Sequence, residues 1–160
     1  MKIFLSLLVV LMSVHLSYAQ KPELQPIDAE QLAGLIANHK GDKPILLNVW
    51  ATWCSPCVEE LPYLLELEKK YANQFELVLV SADFKEAVPE AQLFLEEQGV
   101  RFTTYLKTGK DDTFISRLST TWTGALPFTI IFSKQGDVSS EWEGKAEFEQ
   151  FEKELLKVIN

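Results

Sequence analysis

The sequence predicts an α/β fold in which a central mixed sheet of about five strands is flanked by helices. The apolar run at residues 45–50 lacks polar alternation, as expected for a strand buried on both faces of a parallel sheet. An amphipathic segment at residues 58–71 follows it, and strand and helix patterns then alternate up to a hairpin and a last helix. A length of 160 residues, 47% of them hydrophobic and 24% charged, suits one globular domain.

Residues 1–19 have the pattern of a secretory signal peptide. Lys2 precedes an apolar run at residues 3–14, and Ser17-Tyr18-Ala19 has the small-x-small pattern of a cleavage site. We expect cleavage after Ala19, which leaves a domain at residues 20–160. An uncleaved membrane anchor is the alternative, but the apolar run reaches His15 before the roughly 20 apolar residues that a span needs. The mature protein is therefore expected to be exported, without a membrane anchor.

The other elements follow in order along the chain. After a polar lead at residues 21–26, Asp28-Ala29-Glu30-Gln31 has the pattern of a capping box that opens a helix, so the N-terminal segment holds a single short strand and helix. The next predictions are a strand at 75–80, a helix from Pro89 to Gly99, a short strand at 102–106 and a short helix capped by Asp112. A hairpin of strands at 128–132 and 138–142 and a helix at 145–159 close the chain.

Both cysteines lie in Trp53-Cys54-Ser55-Pro56-Cys57, where the buried strand leads into the amphipathic helix. Unpaired backbone N–H groups and the helix dipole favour an anion at such a helix N-terminus, here a thiolate. A static structural disulfide is the alternative, although so short a loop constrains the unfolded chain little. A zinc site is disfavoured because two cysteines and the distant His39 supply fewer than four ligands. The pattern indicates a reactive dithiol.

The charge of the chain disfavours some partners. It carries 15 basic and 23 acidic residues, a formal net charge of −8. Nucleic acids and anionic membrane surfaces are therefore poor partners on electrostatic grounds.

The motif extends beyond the cysteines and resembles a known family. Trp50-Ala51-Thr52 precedes the cysteine motif, Glu60 and Pro62 follow it, and Gly124-Ala125-Leu126-Pro127-Phe128 comes further on. With these residues the chain resembles, from residue 27 onward, the TlpA/ResA-type exported thiol–disulfide oxidoreductases of the thioredoxin superfamily. The resemblance implies a thioredoxin fold. Asn48, where cytosolic thioredoxins carry a buried aspartate, favours the exported subgroup. So does the stretch at 81–122, a helix and strand insertion before the proline strand. The N-terminal segment lacks the hairpin that many relatives have.

The position of each cysteine suggests its role. Cys54 is the expected nucleophile because it comes first, at the helix N-terminus, and Cys57 is the expected resolving thiol. Ser55 and Pro56 are expected to tune the redox potential. Pro56 withholds one N–H donor from the thiolate, which indicates a reductant.

Glu60 comes three residues after Cys57, so the two share a helix face. A carboxylate there can take the proton of Cys57, and an acidic residue at this place is a functional feature of the ResA type. The alternative is a solvated surface glutamate beside Glu59.

The residues expected to contact substrate are Trp53, Leu126 and Pro127. Pro127 resembles the superfamily's cis-proline, which leaves the backbone of Leu126 free to pair with an extended substrate segment. A trans proline at a strand start is the alternative. Trp53 is expected to shield the sulfurs and to offer an apolar contact, whereas Trp50 is assigned to the core.

Together these residues predict an exported enzyme that reduces protein disulfides, in a bacterial periplasm or an equivalent compartment. The resemblance implies recharging by a membrane dithiol donor and substrates such as apocytochrome c, and it implies neither a dissociable cofactor nor a metal. A thiol oxidant is the alternative of the same class. A copper metallochaperone would space its cysteines by three and add a downstream histidine, and this chain has neither. A peroxidase would need Thr-x-x-Cys, but Thr52 lies two positions before Cys54. A non-catalytic binding module would not need two cysteines and a cis-proline candidate.

Overall fold

The computed structural model describes residues 22–159, so the predicted signal peptide at 1–19 lies outside the described residues. Six strands and five α-helices alternate along this part of the chain. The strands are β1 (Leu24–Ile27), β2 (Ile45–Trp50), β3 (Glu76–Ser81), β4 (Thr104–Lys107), β5 (Phe128–Phe132) and β6 (Val138–Glu143). The helices are α1 (Ala29–Asn38), α2 (Ser55–Lys70), α3 (Val88–Glu97), which a 3₁₀ turn at Lys85–Ala87 precedes, α4 (Asp111–Leu118) and α5 (Phe148–Ile159).

The strands form one mixed sheet in the order β1-β4-β3-β2-β5-β6. The first four run parallel, and β5 runs antiparallel to both β2 and β6. The predicted α/β class is confirmed, including the insertion α3-β4-α4 between β3 and β5. The sheet has one strand more than the expected five, since β1 pairs with β4 at the edge. Only Leu24 and Ile27 of β1 are buried, so this strand has no alternating apolar pattern by which to recognise it.

The central strand β2 is buried along its whole length, and its side chains alternate between two cores. Leu46 and Trp50 pack on the side of α2 and α5, with the core residues Leu61, Leu64, Phe151 and Leu155. Leu47 and Val49 pack on the opposite side, against α1 and α4, with Leu32, Phe114 and Phe128. By this alternation Asn48 faces α2, which places a polar group inside an apolar layer.

The helix boundaries follow local hydrogen bonds. Asp28 caps α1 through a complete capping box with Gln31, as predicted. The last helix begins at Phe148 and not at residue 145, and in the loop before it the backbone N–H of Ala146 donates to the Glu60 side chain of α2. Asp112 lies inside α4 and does not cap it, since the N-cap position belongs to Lys110. No helix within residues 22–159 combines the length and the apolar character needed to cross a membrane.

Candidate redox site

The two cysteines lie at the start of α2, directly after the turn that leaves β2. Cys54 is the N-cap residue of α2 with an extended backbone, and Pro56 lies in the first helical turn. The two side chains form a disulfide with an S–S distance of 2.05 Å. The backbone N–H groups of Cys57 and Val58 both donate to the carbonyl of Cys54, at 3.0 and 3.1 Å. Cys54 exposes 6% of its surface and Cys57 exposes 1%, so the nucleophile candidate is the outer of the two sulfurs.

One helical turn beyond Cys57, Glu60 is fully buried. Its Oε1 accepts a hydrogen bond from Asn48 Nδ2 at 2.8 Å, and its Oε2 accepts one from the backbone N–H of Ala146 at 3.0 Å. Burial raises the pKa of the Glu60 carboxyl from 4.5 to about 7, although both hydrogen bonds and the charge of Lys145 act in the opposite direction. The interpretation of Glu60 as a solvated surface residue is therefore wrong. This carboxyl exchanges its proton near neutral pH.

Asn48 joins Glu60 to the neighbouring strand. Its Nδ2 also donates to Thr129 Oγ1 at 3.0 Å, while its Oδ1 is buried without a hydrogen-bond partner among the described residues. Thr129 was not among the residues predicted from the sequence. The available signal was a single hydroxyl within the apolar strand Phe128–Phe132, where a buried polar group requires a partner.

The peptide bond between Leu126 and Pro127 is cis, as predicted. Val49 of β2 pairs with Phe128 of β5, so the proline lies at the same end of the sheet as the cysteine turn. Gly124, two residues before Leu126, has a φ of +95°, and a Cβ there would lie 2.9 Å from Ile115 Cδ1. The backbone of Leu126 makes no hydrogen bond to any of residues 22–159. It is available to an extended chain.

A groove of about 720 Å³ adjoins the cysteine turn. Trp53 and Phe84 line it and are 60% and 73% exposed, which is unusual for side chains of this size. Leu126, Trp122 and Ile115 also line the groove. Trp53 is exposed in this groove, and its contact with substrate stays a prediction, whereas Trp50 is fully buried in the core as predicted.

Asp83 is a second buried carboxylate near the turn, and it was not among the residues predicted from the sequence. It is 5% exposed and accepts hydrogen bonds from the backbone N–H and the hydroxyl of Thr52 and from the hydroxyl of Ser81. The signal in the sequence was the polar pair Ser81 and Asp83 directly after an apolar strand. No group of three or more His, Cys, Asp or Glu side chains within residues 22–159 is arranged to hold a metal ion.

Residues 30–155 match the family described as Redoxin. The chain belongs to this family. Over 117 residues it is 32% identical to the thiol-disulfide oxidoreductase ResA of Bacillus thuringiensis (strain Al Hakam), covering 72% of this Redoxin chain and 64% of that protein. It is 29% identical over 140 residues to ResA of Bacillus thuringiensis subsp. konkukian, covering 87% of this chain and 76% of the relative.

The fold comparison agrees with this assignment. A thioredoxin-family thiol:disulfide interchange protein from Chlorobium tepidum superposes with a TM-score of 0.65 at 22% identity, over 78% of this chain and 84% of that one. This likeness confirms the thioredoxin fold. The similarity to the two ResA proteins confirms the resemblance to the TlpA/ResA type. The chain spans slightly less than two thirds of the first of these relatives.

Proposed function

We propose that the protein is an exported thiol–disulfide oxidoreductase that reduces disulfides in polypeptides. The observation that supports this most strongly is the Cys54–Cys57 disulfide at the N-terminus of α2, at the same end of the sheet as the cis-peptide bond before Pro127. A disulfide that closes a loop of two intervening residues adds little stability to the fold. Its function is therefore reversible reduction and oxidation.

The reaction begins from the reduced pair. The thiolate of Cys54 attacks one sulfur of a substrate disulfide, forms a mixed disulfide and releases the other substrate sulfur as a thiolate. Cys57 then loses its proton and attacks the sulfur of Cys54. The Cys54–Cys57 bond forms, the mixed disulfide breaks and the second substrate thiolate leaves. Two electrons pass to the substrate, and a dithiol donor must return them for the next cycle.

Glu60 is the proposed base for the second step. It lies one turn from Cys57 on α2, both side chains are buried, and the pKa of Glu60 is raised to about 7. A carboxylate with this pKa takes a thiol proton more readily than an ordinary glutamate does. Because Cys57 is almost inaccessible to solvent, the resolving thiol needs a base inside the protein.

Two features support polypeptides as substrates. The unpaired backbone of Leu126 allows an extended segment to add in the manner of a β-strand. The groove that Trp53, Phe84 and Leu126 line is large enough for the apolar side chains that flank a substrate cysteine. The family resemblance makes apocytochrome c a candidate substrate and a membrane dithiol protein a candidate donor. Export depends on the signal peptide proposed at residues 1–19, and N-terminal sequencing of the secreted protein would test it.

The reduction potential of the Cys54–Cys57 pair tests the direction of electron flow. We expect a value near that of thioredoxin, about −270 mV, after equilibration with thiol–disulfide buffers. A value near −120 mV would instead make the protein a disulfide donor. A pair that could not be cycled at all would be structural, and the enzymatic proposal would be wrong.

Trapping tests the mechanism itself. A Cys57→Ser variant is expected to accumulate a mixed disulfide through Cys54 with a disulfide-bonded peptide, since the resolving thiol is gone. The Cys54→Ser variant is the matched control and should trap far less. Equal trapping through either cysteine would contradict the assignment of the two roles.

A further inference from the structure

Asp83 connects the end of β3 to the turn that presents the cysteines. Its Oδ1 accepts hydrogen bonds from the Thr52 hydroxyl at 2.6 Å and from the Thr52 backbone N–H at 3.1 Å. Its Oδ2 lies 3.2 Å from the same N–H and accepts a bond from the Ser81 hydroxyl at 2.8 Å. The Asp83 backbone N–H donates back to Ser81 Oγ at 3.0 Å. Asp83 is 5% exposed; its bonds with Ser81 are buried and its bonds with Thr52 are partly buried.

The turn itself has few other restraints. After β2 ends at Trp50, the Ala82 N–H donates to the Trp50 carbonyl at 2.7 Å, and the Cys54 N–H donates to the Ala51 carbonyl at 3.2 Å. Between these two bonds the polar groups of Thr52 are fixed by Asp83. A carboxylate can accept the N–H and the O–H together, and charge-assisted bonds of this kind are stronger than neutral ones. Cys54 follows Thr52 by two residues.

We propose that Asp83 is a positioning residue for disulfide exchange, and that its carboxylate holds Thr52 so that Cys54 and Trp53 keep the geometry needed for attack. This inference rests on the proposed function, since it concerns the rate of that reaction. Asp83 does not touch the sulfurs in the proposed step; it acts through Thr52. An error of about 1 Å in the place of a reacting group is enough to slow a reaction up to a hundredfold.

The first measurement is the rate constant for attack of reduced Cys54 on a small aromatic disulfide, followed in a single turnover. Asp83→Ala is expected to lower it about tenfold, whereas Asp83→Asn keeps one acceptor oxygen and should recover most of the rate. Thr52→Val is expected to lower it about threefold alone and not at all in the Asp83→Ala background, because the two residues form one unit. The exposed Asp42→Ala is the matched control and should be unchanged.

The second measurement does not require activity. Amide hydrogen exchange at Thr52 and Cys54 in the oxidised protein should be at least tenfold faster in Asp83→Ala than in Asp42→Ala, at a temperature where both are folded. Unchanged exchange at these amides, or an unchanged rate constant in a folded Asp83→Ala protein, would overturn the inference. A native protein that exchanges no disulfide at all would instead refute the proposed function, while the amide measurement would still decide whether Asp83 fixes the turn.

Discussion

Glu60 and Asp83 are both buried carboxylates near the cysteine turn, yet their surroundings differ. Glu60 lies under the sheet with two donors, the amide of Asn48 and the backbone N–H of Ala146. Asp83 lies at the end of β3 and accepts from three donors, two of them on Thr52. The residue that contacts Glu60, Asn48, also carries a buried oxygen, Oδ1, without a hydrogen-bond partner among the described residues. Burial raises the pKa of Glu60, whereas the hydrogen bonds of Asp83 tie it to Thr52 and Ser81.

Replacing Asn48, which contacts Glu60, should have the largest effect on the unfolding free energy. Asn48→Asp removes a donor to Glu60 and places a second carboxylate within about 3 Å of it, so the variant should lose about 4 kcal/mol of unfolding free energy at pH 8. The loss should be much smaller at pH 5, where protons neutralise the pair. Urea unfolding at both pH values measures it, with the exposed Asn38→Asp as control. Equal losses at the two pH values would show that charge repulsion is not the cause.

Glu60 should itself make stability depend on pH. Its pKa is about 7 in the folded protein and near 4.5 when unfolded, so the folded state holds the proton more tightly. The contribution of Glu60 to the unfolding free energy is therefore fully present below pH 4.5 and falls by roughly 3 kcal/mol as the pH rises to about 7. Glu60→Gln should remove this slope in the oxidised protein.

The exposed Glu59→Gln is the matched control for that experiment and should keep the slope. In the reduced protein, Glu60→Gln should also shift the thiol titration or slow disulfide exchange. If the pH dependence of the unfolding free energy persists in Glu60→Gln, a group other than Glu60 causes it.

A smaller effect on the unfolding free energy is expected from Ser81, which contacts Asp83. Ser81→Ala removes one of the donors to Asp83 and the acceptor of its backbone N–H, at a cost of about 1.5 kcal/mol. Thermal unfolding compared with Ser139→Ala, an exposed serine in β6, measures this cost. Two variants of equal stability would mean that Thr52 alone holds Asp83.

The smallest effect is expected from Lys145. Its charge lowers the pKa of Glu60, so Lys145→Met should raise that pKa further and move the pH-dependent stability loss to higher pH. The exposed Lys69→Met, on the helix that carries Glu60, is the control. A shift to lower pH would contradict the electrostatic account.

The cis-proline was predicted from the resemblance of Gly124-Ala125-Leu126-Pro127-Phe128 to the family, whereas the α/β class and the cysteine turn have local signals in the sequence. An apolar run, a helix pattern and a motif of five residues identify them without knowledge of the partners. β1 is the single short strand expected in the N-terminal segment, but its bounds and its pairing with β4 were not predicted, because an edge strand with only two buried residues lacks a periodic signal.

The surroundings of the two carboxylates were not predictable in this way. Thr52 and Asp83 are 31 positions apart, and Asn48 and Thr129 are 81 apart, so only the folded sheet brings them together. The burial of Glu60 also depends on a loop that was predicted to be helical. Hydrogen bonds that cross strands give no periodic pattern in the sequence.

The contact between Glu60 and Ala146 has a consequence for the order in which the site matures during synthesis. The two residues are 86 positions apart, so the ribosome releases both cysteines and Glu60 long before the segment that covers the carboxylate. Until that segment is made and docks, we expect the Glu60 carboxylate to be hydrated. Water leaves Glu60 only when the segment that contains Ala146 docks on α2. The Glu60 carboxylate and the two cysteines then have the surroundings that they have in the folded protein.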